Sequence, residues 1–80
     1  MTLIDQLILR LERQLAKNLR RERMYDEAYT IAITGGRATD AMRYAELSSR
    51  AVERMTAIAD ELREAEALKQ FAHELYEAIR

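Results

Sequence analysis

The chain has 80 residues, enough for at most one domain, and a core of that size supplies only about 3–5 kcal/mol. The absence of cysteine excludes a disulfide framework or a thiolate metal site, and with no proline and only two glycines the chain carries almost no punctuation. A formal net charge of −1 gives no long-range field toward nucleic acid or membrane, and no apolar run is long enough to span a bilayer.

Ala, Leu, Glu and Arg dominate, all strong helix formers. The opening stretch MTLIDQLILRLERQL lacks the layout of a signal peptide. The expectation is an all-α cytoplasmic protein.

From Thr2 onward Ile4, Ile8, Leu11, Leu15 and Leu19 recur at three- and four-residue steps, and Tyr25, Tyr29 and Ala32 continue that side. Thr2 and Asp5 have capping-box spacing, with a carboxylate in the first turn. The pattern predicts helix 1 near 3–33. Asn18 and Glu22 fall on its core side, and a polar layer there can fix register or oligomer order. Arg54 on the second helix is the expected partner of Glu22.

The stretch TIAITGGRATDAM, residues 30–42, superficially resembles the strand–loop–helix turn that cradles phosphate. A dinucleotide fingerprint needs a third glycine and a phosphate loop needs G-K-[ST], and both are missing. A lone strand would also have no sheet to join. Gly35 and Gly36 are therefore read as a hinge of four or five residues ending helix 1, with Thr39 or Asp40 as the next N-cap.

Helix 2 is expected near 39–79. Its heptad a and d positions are Ala41, Tyr44, Ser48, Ala51, Met55, Ile58, Leu62, Ala65, Lys69, Ala72, Tyr76 and Ile79, all apolar except Ser48 and Lys69. A short hinge makes the two helices an antiparallel hairpin, about 45 Å against about 60 Å long. The excess length is the C-terminal stretch, where Leu68, Phe71 and Leu75 form an apolar edge beside Ala72, Tyr76 and Ile79. Such a patch favours dimerisation into a four-helix bundle or coiled-coil-like assembly, with those six residues as the oligomer interface. The alternative is a compact three-helix bundle with helix 2 broken at Ser48–Ser49.

No catalytic constellation is visible. The lone His73 has no third or fourth ligand in local sequence, and Ser48 and Ser49 have no nearby base. Neither enzyme activity, a metal nor a cofactor is expected. Tyr25, Tyr29 and Tyr44, with Arg37 and Arg43, gather at the hinge end, and Tyr and Arg are enriched at binding hot spots. Together with Arg20, Arg21 and Arg23 they form the expected surface for a protein partner, in an adaptor, regulator or inhibitor. Arg10, Arg13, Lys17, Arg20 and Arg21 share the face of helix 1 opposite its apolar stripe, and on the alternative reading they lie on RNA or DNA phosphates. The acidic segment DELREAE, 60–66, is expected to neutralise part of that stripe. A second alternative is a small ligand held in a crevice near Asn18 and Glu22.

Overall fold

A computed structural model describes residues 2–80 as two helices, α1 over Leu3–Thr34 and α2 over Ala38–Ile79. Helix α1 starts where the capping box places it. The Thr2 hydroxyl accepts the Asp5 N–H at 3.1 Å, and the Asp5 carboxylate accepts the Thr2 N–H at 3.1 Å. Two orphan amide donors are satisfied reciprocally, beside a negative charge that suits the helix dipole.

At the other end α1 closes in a Schellman arrangement. The Arg37 N–H donates to the Ala32 carbonyl at 2.8 Å and the Gly36 N–H to the Ile33 carbonyl at 3.2 Å. Gly36 takes φ of +74°, the left-handed region that a side chain disfavours, whereas Gly35 stays at −82°. The motif reverses the chain so tightly that only Gly35, Gly36 and Arg37 separate the helices, fewer than the four or five expected. It also overrides the expected N-cap. Arg37, not Thr39 or Asp40, holds that position, and its guanidinium, which has no acceptor, makes no side-chain cap hydrogen bond. Asp40 instead supplies the acidic charge of the first turn.

Gly36→Ala should therefore lower stability by about 1–2 kcal/mol through the left-handed backbone alone, since a Cβ there meets nothing within 4 Å. Gly35→Ala, at negative φ, should cost less. Urea midpoints of the two variants check the difference.

Helix α2 runs unbroken through Ser48 and Ser49, which excludes the three-helix alternative. The Lys69 ammonium sits 2.6 Å from the Asp5 carboxylate, and the Ser48 hydroxyl lies 3.5 Å from both Glu22 and Asp26. These contacts fix one antiparallel register, which sets Leu11 at the level of Leu62 and Ala32 at the level of Ala41. In α1 the buried or half-buried line is Ile4, Ile8, Leu11, Leu15, Asn18, Glu22, Tyr25, Ala28 and Ala32. Leu19 and Tyr29 are corrections to the predicted stripe: they are 40% and 38% exposed, while their neighbours Asn18 and Ala28 are buried and half-buried. Heptad pairing with α2 selects position 18 over 19, whatever their hydrophobicities.

The core is thin. Four of its five most buried apolar residues are alanines, Ala32, Ala41, Ala51 and Ala65, and Leu11 is the only large one. The hairpin extends 66 × 17 × 13 Å with a radius of gyration of 18.6 Å, against about 12 Å for a compact chain of this length. Its accessible surface is 6386 Å², where a compact monomer of this mass would expose about 5,000 Å². No helix is long and apolar enough to cross a membrane.

Candidate interaction surfaces

Three regions carry chemistry beyond helix packing: a polar layer in the seam, the open end with its overhang, and the hinge end. The polar layer begins at Asn18. Its side-chain amide donates to the Gln14 carbonyl at 2.9 Å, but its Oδ1 is buried with no hydrogen-bond partner. An orphaned buried acceptor of this kind costs about 1–3 kcal/mol. One turn further on, half-buried Glu22 faces Ser48.

The expected Glu22–Arg54 pair does not form. The two residues are close in level, but the Ser48 contact puts Glu22 on one edge of the seam and the heptad g position puts Arg54 on the other. A depression in the surface lies elsewhere, lined by Asp26, Glu27, Tyr29, Thr30 and Ile31 of α1 rather than by Asn18 and Glu22.

At the open end Asp5 and Lys69 clamp the first turn of α1 to α2. The Lys69 ammonium, then the Thr2 amide and hydroxyl, hold the Asp5 carboxyl at about 2 instead of 3.8, and the same contact pushes Lys69 up. Because the folded value lies below the unfolded one, the contact stabilises fully above about pH 4 and is lost as pH falls toward 2. Asp5→Asn should therefore melt below the wild type at neutral pH, and that gap should close as pH falls from about 5 to about 2. Thermal melts followed by circular dichroism measure it.

Beyond about residue 72, α2 has no α1 residue of the described chain at its level. Leu68, Phe71, Leu75, Tyr76 and Ile79 are each more than half exposed, Phe71 at 62%, and Ala72 is exposed too. Leu3 and Leu7 at the start of α1 are exposed beside them, so the apolar surface continues across both helices. That extension is not legible in the α2 pattern alone.

No family model, curated protein or solved structure matches the chain.

The hinge end brings Tyr29 and Tyr44 to one level of the seam, with Tyr25 one turn below and Arg37 and Arg43 exposed nearby. Arg37 lies 3.9 Å from Asp40, a loose contact open to water. The sequence places Met42 at this tip, and the structure adds Ile31 and Ile33 to its apolar part. Ile31, Ile33 and Met42 are at least half exposed, Met42 at 74%. Arg20, Arg21 and Arg23 do not form one surface with it. Residues two apart on a helix diverge by roughly 200°, so Arg21 and Arg23 emerge on opposite edges.

The basic stripe stands without the expected neutralisation. Among the described residues, none of Arg10, Arg13, Lys17, Arg20 or Arg21 has a carboxylate within ion-pair distance. Asp60 pairs instead with Arg63 of its own helix at 2.6 Å. Exposed His73 lies on the overhang.

Proposed function

We propose that this is a non-enzymatic interaction protein, a helical hairpin that self-associates at its open end and presents its hinge end to another protein. The observation that carries the reading is the C-terminal end of α2, where five large apolar side chains from Leu68 to Ile79 are each more than half exposed. Leaving a Leu or Phe in water forgoes about 1.5–3 kcal/mol per side chain, a large quantity beside the stability of so thin a core.

A second copy is the simplest cover, because a two-fold axis brings the same patch to itself and closes. The areas agree. The hairpin exposes 6386 Å², about 1,400 Å² above a compact monomer, and a stable dimer needs only about 800 Å² from each partner.

The hinge end is then the free end of the assembly. There Tyr29 and Tyr44 are flanked by Ile31, Ile33, Met42, Arg37 and Arg43, a mixture of aromatic, apolar and guanidinium groups that suits a protein hot spot. Affinity capture from the native host, run in parallel with three baits, tests this arrangement. Wild type and the Phe71→Glu, Leu75→Glu variant should retain the same captured protein, and the Tyr29→Ala, Tyr44→Ala variant should lose it. Identical capture by all three baits would contradict the hinge assignment.

A further inference from the structure

The hairpin has two edges where its helices meet. Asp5–Lys69 and Asp26–Ser48 mark one of them. In an antiparallel pair whose seams face each other, like flanks adjoin, so the opposite edge brings Arg21 of α1 beside Arg54 of α2. The register set by Ser48 confirms the level. Arg54 lies six residues beyond Ser48, about 9 Å along the axis, which matches the stretch of α1 from Lys17 to Arg21. Lys17 flanks that edge on α1, and Arg13 and Arg20 continue the positive surface onto the face opposite the seam.

The composition of this surface is unusual for a solvated helix face. Arg13, Lys17, Arg20, Arg21 and Arg54 have no acidic residue three or four positions away in either direction. Their helical neighbours are instead each other, as in Arg13–Lys17, Lys17–Arg21 and Lys17–Arg20, and like charges at these spacings destabilise a helix. None of the five has a carboxylate within ion-pair distance among the described residues. The acids of α1 lie elsewhere: Glu12 and Asp26 on the other edge, Glu22 in the seam and Glu27 beyond the stripe. Of the α2 acids, Glu61 shares this edge one heptad beyond Arg54, at the level of Gln14, so the uncompensated positive charge is gathered at the level of Lys17, Arg21 and Arg54, drawn from both helices.

We infer that this edge binds the phosphate backbone of duplex DNA without reading sequence. Polyanion complementarity follows from the unpaired cations, four of which are arginines that can grip phosphate oxygens in a fork. The duplex form follows from the missing aromatics. Tyr25, Tyr29 and Tyr44 sit toward the hinge and Phe71 and Tyr76 on the overhang, so the edge has no platform on which single-stranded bases could stack. Arg54 adds one cation from α2, whose axis packs about 8–10 Å from that of α1.

Fluorescence anisotropy of a labelled DNA duplex at 50 and 200 mM salt tests the assignment. If one hairpin neutralises about four phosphates, log K falls with log salt at a slope of about −3.6, an affinity loss of ~150-fold over that interval. Lys17→Gln with Arg21→Gln should bring the slope to about −1.8 while leaving the circular-dichroism helix content intact, since both positions are exposed. Arg63→Gln, on another face and already paired with Asp60, should leave the slope unchanged. The inference is overturned by a slope near zero, by an unchanged slope in the double variant, or by tighter binding of an RNA duplex or poly-glutamate than of DNA. Sedimentation of the overhang variant is read separately, so loss of self-association and loss of DNA binding are distinct results.

Discussion

Replacing Leu11 with alanine is expected to leave much of the chain unfolded in dilute buffer. Leu11 is 3% exposed and is the only large apolar side chain in the buried set, the others being alanines. Truncating a buried leucine costs about 2–5 kcal/mol through lost transfer free energy and the cavity left behind. That loss is comparable to everything a single core of this length supplies, about 3–5 kcal/mol. Leu19→Ala is the matched control. It carries the same chemical change at a position 40% exposed, and should lower the urea midpoint far less. Equal losses at the two positions would mean that the seam does not run through Leu11 and Asn18.

The second large effect has the opposite sign. Asn18→Leu should raise stability by about 1–3 kcal/mol, because it removes a buried acceptor with no partner and adds apolar surface to the seam. The hydrogen bond that the Asn18 side chain donates to the Gln14 carbonyl is lost in the same step, but that carbonyl keeps its place in the α1 ladder. A buried polar residue in a helical seam can be kept for register rather than stability. Urea titration gives the stability change. A decrease would show that Asn18 Oδ1 is satisfied in solution, by water or by a second copy.

Much of the architecture was legible before any coordinates. Thr2 and Asp5 announced the start of α1, the glycine pair its end, and the heptad of α2 its continuity across Ser48–Ser49. These signals are local, and local signals survive packing. Two of the failures share one cause, which is that a single helix does not reveal its partner's register, and the third is set by the turn. Leu19 outranks Asn18 on hydrophobicity, yet the antiparallel pairing turns Asn18 into the seam. Glu22 and Arg54 lie close in height but on opposite edges, so no ion pair results. The Schellman closure uses the Arg37 N–H and thereby displaces the N-cap from Thr39 or Asp40.

The surfaces show the same division. The apolar overhang follows from unequal helix lengths, which sequence periodicity supplies. Its continuation onto Leu3 and Leu7, and the placement of Arg54 beside Lys17 and Arg21, depend on which flanks adjoin. The Asp5–Lys69 clamp was the one register marker within reach of the sequence. Lys69 is the only charged residue on the α2 seam, and an antiparallel partner would bring the acidic first turn of α1 to its level.

Self-association through the overhang is the central claim, and sedimentation velocity at micromolar concentration tests it most directly. The wild-type chain should sediment at twice its 9.3 kDa mass, and the Phe71→Glu, Leu75→Glu variant at the single mass with its helix content unchanged. A wild-type chain that sediments at 9.3 kDa throughout the micromolar range would contradict it.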